Sequence, residues 1–217
     1  MDELTPTART TPHRYPGRVS YDAALVHGIL DEALISHLGL DADGPLVLPV
    51  IHARVGQNLY VHVSTGAGIA RRIPAEVCLT ATIVDGLVLA KSQFHHSMNY
   101  RSVVVRGRAE PVGAGAERDQ ALAAIVDHVA PGRSANSRPP NAKELAATFV
   151  LRIPLLAASA KVRAGPAVDD DEDLALPYWA GVIPTMLQVG APVPGPQTLA
   201  AGTAVPPLGT RFAHRRD

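Results

Sequence analysis

Between residues 46 and 112 the chain carries five short runs rich in aliphatic and β-branched residues, and this limits its fold more than any other feature. The runs are LVLPVIHA (46–53), NLYVHV (58–63), EVCLTATI (76–83), LVLAKSQF (87–94) and SVVVRGRAEPV (102–112). Turn signals, DADG, VGQN and VDG, stand before or between them. VGQN is short enough to join the first two runs as a hairpin, and VDG at 84–86 to join the third and fourth. Strands at hairpin spacing that do not alternate with helices exclude a doubly wound sheet. They point to a small antiparallel barrel.

Helical periodicity occurs on both sides of this series. YDAALVHGILDEALISHLG places Leu25, Ile29 and Ala33 on one stripe with Val26, Leu30 and Leu34, and predicts a helix capped at Gly39. AERDQALAAIVDHV predicts a second, with Leu122, Ile125, Val126 and Val129 on one face. After the loop PGRSANSRPPN come KELAAT and two more strand-like runs, TFVLRIPL and SAKVRAG. The expected class is mainly β with flanking helices (α+β), a barrel closed by helices. Residues 1–18, rich in Thr, Pro and Arg, read as a mobile arm, and 19–189 as the barrel domain. Residues 190–217 are Pro/Gly-rich and read as an extended or disordered tail.

Composition narrows the partners. Aromatic residues are only 4% of the 217, against 47% hydrophobic, so the core must be built of Ala, Val, Leu and Ile. Lys+Arg and Asp+Glu both number 20, so no excess of positive charge favours nucleic acid or an acidic membrane. A small-molecule partner is expected instead. The lone cysteine, Cys78, has no disulfide partner and apolar flanks, which predicts a buried spectator in a reducing cytoplasm. The N-terminus lacks the apolar core of a signal peptide, and no run is long enough to span a bilayer. Nine histidines show no metal-ligand spacing, and His95 and His96, if on a strand, would face opposite ways. No metal is expected. The acidic run VDDDEDLALP (168–177) lacks the ligand spacing of a calcium loop and reads as solvated.

Two stretches carry candidate chemistry. In LYVHVSTGAGIARRI a strand ends near His62, and Ser64, Thr65 and Gly66 turn the chain into a helical segment bearing Arg71 and Arg72. Such a turn suits an anion, but a plain N-cap with solvated arginines fits the same residues. In FHHSMNYRSVVVRG (94–107), Asn99, Tyr100, Arg101 and Ser102 offer hydrogen bonds, a flat face and a charged fork at the mouth of a strand. A capped polar edge is the competing reading. Trp179, the single tryptophan, either packs or stacks on a ligand. His62 and His96 are the candidate acid–base groups, because histidine titrates near neutrality.

The succession ILDEAL, DGPLVLPV, LYVH, VDGLVLAKSQFHHSMNYRSVVVRG, KELAAT, SAKVRAGP and WAGVIP resembles the pyridoxamine 5′-phosphate oxidase-like family, in its flavin-nucleotide-binding branch related to nitroimidazole resistance. The resemblance runs from about Tyr21 to Thr185. It implies a split β-barrel, a homodimer, and FMN in the crevice between subunits, serving a flavin-dependent oxidoreductase. Leu48, Pro49 and Val50 would line the flavin ring; His62, Ser64, Thr65 and Gly66 would hold the phosphate; Tyr100, Arg101, Ser102 and Trp179 would border the pocket. The family's usual basic residue in the phosphate turn is Gly68 here, and Arg71 stands as its replacement. Losing one charged hydrogen bond to phosphate costs about 1.5–3 kcal/mol. A non-catalytic flavin-binding sensor, or a barrel that uses a deazaflavin or haem in place of FMN, is the alternative.

Overall fold

The computed structural model describes residues 4–11 and 16–204. The remainder of the predicted arm (1–3 and 12–15) and the end of the predicted tail (205–217) lie outside the described residues. Within the arm, the Leu4 N–H donates to Tyr21 O at 2.8 Å and the Tyr21 hydroxyl donates to Thr10 O at 3.1 Å, so residues 4–11 are docked on the body.

A two-residue strand β1 (Val19–Ser20) leads into helix α1 (Ala23–Glu32), which opens at Asp22, whose carboxylate accepts the Ala24 N–H at 2.8 Å. The helix ends earlier than its periodicity predicts. Ala33 is already extended (φ −69°, ψ 125°), and β2 (Ser36–Asp41) follows with Ser36, Leu38 and Leu40 buried in alternation. Gly39 therefore lies within a strand and caps nothing. The apolar residues of LISHLGL satisfy a period of two as well as one of 3.6, and pairing to neighbouring strands decides between them.

The run LVLPVIHA also divides, into β3 (Pro45–Val50) and β4 (His52–Val55), because the chain passes at Ile51 from one half-sheet to the other. The predicted VGQN hairpin is present: Val55 pairs with Asn58 of β5 (Asn58–Ser64), and Gly56 supplies the turn's positive φ of 58°. The predicted VDG hairpin is not. β6 (Ala75–Leu89) runs straight through it and pairs along its length with β7 (Ser97–Pro111). Asp85 is squeezed out as a bulge, since Val84 pairs with Tyr100 and Gly86 with the next residue, Asn99. Gly86 serves close approach rather than a turn. A Cβ there would stand 3.0 Å from Val182 Cγ1 and 3.2 Å from Ile183 O of the strand alongside.

Helix α2 (Ala116–Val129) follows, then α3 (Ala142–Ala147), capped reciprocally by Asn141 and Glu144. α2 turns Ala121, Ile125 and His128 inward, while Val126 and Val129 of the predicted face point out. The chain closes with β8 (Thr148–Pro154), β9 (Ala157–Arg163), β10 (Gly181–Pro184) and α4 (Pro196–Ala201), a single turn and a half within the predicted tail.

The strand order is β3-β2-β6-β7-β8-β5-β4, with β9 on β7, β1 on β9 and β10 on β6. β7 belongs to both halves: it pairs β6 and β9 over most of its length and β8 only at Glu110 and Pro111. The result is a split β-barrel. Its core is aliphatic as the composition requires, with Leu38, Leu59, Leu79, Val103, Leu151 and Ile153 closed over by Ile29 and Leu30 of α1. Among the described residues no helix is long and apolar enough to cross a membrane.

Candidate functional site

The two groups of residues singled out in the sequence lie on opposite sides of the central strands. Leu48, Pro49 and Val50 belong to β3, an edge strand with β2 as its one partner among the described residues. A free edge suits Pro49, which has no N–H to offer a further strand, and it leaves backbone groups open to a ligand or a second chain. The Ser64-Thr65-Gly66 turn approaches this edge from the other half. Ile69, just after the turn, shares the main core with Val50 and Leu48. The Arg72 guanidinium meets the Asp43 carboxylate in the β2–β3 turn at 2.5 Å. That contact holds the Asp43 pKa below its ordinary value and raises that of Arg72.

Within the turn, the Gly66 N–H donates to Ser64 Oγ at 3.2 Å and the Thr65 N–H to Ala147 O at 3.0 Å. Arg72 is thus committed to Asp43, while Arg71 makes no hydrogen bond or ion pair among the described residues. The Arg71 Nη2 atom lies 4.0 Å from the place a Cβ would take on Gly68. Its guanidinium therefore overhangs Gly68. His62, exposed on β5 opposite Val150, sits beside this turn on the face that carries Tyr60 and Ser64.

Tyr100, Arg101 and Ser102 lie on β7, with β2 and β6 between them and β3. At about 4.8 Å per strand the two groups are roughly 14 Å apart across the sheet. One chain does not bring them together. Arg101 is engaged within the chain: Nε and Nη2 donate to the Asp85 carboxylate at 2.9 Å each, and Nη2 also donates to Glu32 Oε1 at 2.8 Å. These contacts, Glu32 first and then Asp85, raise its pKa beyond the already high ordinary value. Neither carboxylate was singled out from sequence, because Glu32 is distant in the chain and Asp85 lay in an expected turn. Ser102 Oγ donates to Lys161 O at 3.3 Å across to β9.

The polar stretch before β7 is largely occupied in holding the acidic run. His95 and His96 do not lie on a strand. Gln93–His95 form a single 3-10 turn capped by Ser92, and His96 is the extended residue after it. The acidic run is anchored rather than wholly solvated: the Lys91 N–H donates to Asp169 Oδ1 at 2.7 Å, Lys91 Nζ to Leu176 O, and His95 Nε2 stands 3.1 Å from Asp170 Oδ2. Asn99 binds Gly165 O and Arg163. Against this, His96 Nδ1 lies 2.9 Å from Ser92 O with its ring exposed.

An apolar row crosses the outward face just beyond. Ile183, Leu87 and Met98 are direct partners on β10, β6 and β7, and are 46%, 38% and 51% exposed. Trp179, 63% exposed, lies over Gly181, where a Cβ would meet its ring at 2.8 Å. Cys78 is a free, half-buried thiol near the start of β6. Among the described residues no group of three or more His, Cys, Asp or Glu is gathered to hold a metal ion.

This architecture has relatives. The model of the pyridoxamine 5′-phosphate oxidase family matches residues 22–162. The chain belongs to that family. Among solved structures, the flavocytochrome Anf3 of Azotobacter vinelandii is 39% identical, with a TM-score of 0.83 over 89% of this chain and 92% of its own. The FAD and haem binding protein of Mycobacterium smegmatis is 36% identical, with a TM-score of 0.82 over 88% and 94%. A protein described as a candidate 5-nitroimidazole antibiotic resistance protein, from Bacteroides thetaiotaomicron, is 23% identical with a TM-score of 0.55, over 66% of this chain and 86% of its own, and shares the fold. Among curated proteins none matches.

Proposed function

We propose that this chain is a flavin- and haem-binding redox protein that works as a homodimer and oxidises or reduces a small molecule. The observation that carries this reading is the near-complete match to two proteins described as a flavocytochrome and as an FAD and haem binding protein. Both matches cover close to nine tenths of the chain, and so extend well past the family core of residues 22–162. The segment from Gly181 through α4 is outside that core.

The flavin would lie along the open edge of β3 at Leu48, Pro49 and Val50. Its phosphate would rest on Ser64, Thr65 and Gly66, with His62 alongside and Arg71 in the role of the missing basic residue. Arg71 suits this task because its guanidinium overhangs Gly68 with no partner among the described residues. FAD is favoured over FMN, because a dinucleotide has a second half to bind where one phosphate contact has been weakened. Tyr100, Ser102 and Trp179 would reach the flavin from a second copy, since within one chain Tyr100 and Ser102 on β7 lie three strands from β3. The flavin supplies hydride and single-electron chemistry when bound. The protein orients it and excludes water.

Absorbance of the purified protein, before and after incubation with FAD and hemin and removal of the excess, tests this reading. Retained flavin bands together with a Soret band are expected, with FAD identified after acid release. A protein that retains neither chromophore overturns the proposal. One that retains both but passes no electrons between any donor and acceptor is a sensor or carrier rather than an oxidoreductase.

A further inference from the structure

We propose that His96 ligates the haem iron through Nε2, and that the outward face of β10, β6 and β7 is the bed of the porphyrin. The assignment rests on the haem half of the function proposed above. A haem ligand must present an unprotonated imidazole nitrogen, and its ring is best held by a hydrogen bond from the other nitrogen. His96 meets both conditions. The Ser92 carbonyl, 2.9 Å from Nδ1, can only accept, so Nδ1 carries the proton and Nε2 carries the lone pair. The ring is exposed, and Nε2 has no partner among the described residues.

The other histidines among the described residues are differently disposed. His52 is buried with Nε2 donating to Leu30 O and Nδ1 accepting from Ser36 Oγ, each at 2.8 Å. His128 is buried with Nε2 on Ala33 O. His95 has its Nε2 against the Asp170 carboxylate, and the Nε2 atom of His27 is enclosed by protein. His37 and His62 are exposed on strands, but no backbone carbonyl fixes either ring among the described contacts.

The surroundings suit a broad, flat, apolar ligand. Ser97 pairs with Val88 and Gly181 with Leu89, so the residue before Ser97 stands in register with Leu89 and with the glycine beneath the Trp179 ring. The next row is Met98, Leu87 and Ile183. Phe94, 88% exposed, lies two residues before His96. A monomer that leaves such a row in water invites a partner. A porphyrin with its iron on His96 covers it.

The test compares the full-length chain with His96→Ala and His37→Ala, each titrated with hemin and followed by the Soret band, with melting temperature as the fold control. The His96→Ala protein is expected to bind hemin about tenfold more weakly or worse, to show an altered Soret band, and to regain the original band on addition of imidazole. The His37→Ala protein is expected to match the parent. A parent that binds hemin and a His96→Ala variant with an unchanged spectrum overturn the ligand assignment while the haem reading stands. Loss of haem that imidazole does not rescue also overturns it, in favour of a packing role. A parent that takes up no hemin overturns the haem reading itself.

Discussion

Replacing Arg101 with alanine tests whether this side chain is a clamp or a cofactor ligand. Its guanidinium ties three elements together: α1 through Glu32, the β6 bulge through Asp85, and β7 on which it sits. The side chain is 20% exposed, Asp85 23% and Glu32 41%. A hydrogen bond to a charged group is worth about 1.5–3 kcal/mol when sheltered, whereas an exposed pair contributes about 0–1 kcal/mol. The fork onto Asp85 falls nearer the first figure and the contact with Glu32 nearer the second. Ordering the long arginine side chain offsets up to about 2 kcal/mol of the gain. Removing the cation also leaves two carboxylates facing each other. The net expectation for Arg101→Ala is a loss of about 2–3 kcal/mol, or roughly 4–12 °C in Tm for a chain of this size. Glu32→Gln should cost less than about 1 kcal/mol, and Arg101→Lys, which keeps the charge but loses the fork, should fall between. Thermal and urea melts at low and high salt measure all three. A loss below about 0.5 kcal/mol for Arg101→Ala, within the range of an ordinary surface change, would refute the clamp. So would a selective loss of flavin affinity at unchanged Tm, which would return Arg101 to the pocket rim.

Three further outcomes are expected. Arg71→Ala should weaken binding of a flavin nucleotide by roughly ten- to a hundredfold and leave riboflavin, which has no phosphate, unaffected; equal losses for both would remove Arg71 from the phosphate. Gly86→Ala should push β10 off β6, since its Cβ would stand 3.2 Å from the backbone Ile183 O. The cost is about 1–3 kcal/mol, visible as faster amide exchange on β10. Burial first, and the hydrogen bond to Glu117 next, raise the Tyr60 pKa above its ordinary 10.0. The stability that this phenol contributes is therefore complete below its unfolded pKa and lost as pH climbs through the raised value. Tyr60→Phe should flatten that alkaline decline, and an unaltered pH profile of Tm would dispose of the idea.

The barrel was legible in the sequence because period-two patterning survives in the short strands, as in NLYVHV, and because VGQN has the length and the glycine of a tight turn. The single-sequence signal failed where a longer-range partner decides. VDG has the composition of a hairpin, yet β10 packs against Gly86 from a hundred residues on, and the strand continues through a bulge. LISHLGL fits two periods until β3 and β6 flank it. At the site, residue types in FHHSMNYRS identified a dense polar cluster but not its use. The acidic run that engages Lys91 and His95 lies too far along the chain for spacing to reveal it. The exception is Arg71, three residues from Gly68, where local spacing alone brings the charge back over the gap.

The seam between β5 and β8 has a consequence for how the chain reaches its fold. The two longest strands, β6 and β7, are joined through residues 90–96 and can zip as a local hairpin on the timescale of microseconds. β5 must instead find β8, matching Ser64 with Thr148 and Asn58 with Pro154, and it cannot do so until the intervening chain has been drawn in. Such non-local pairing is slow. The half-barrel that carries His62 and the Ser64-Thr65-Gly66 turn would then be the last part to assemble, after the ribbon that carries Tyr100 and Arg101 is in place. A flavin, arriving at a turn still seeking its partner strand, would act on the refolding rate as well as on the finished protein.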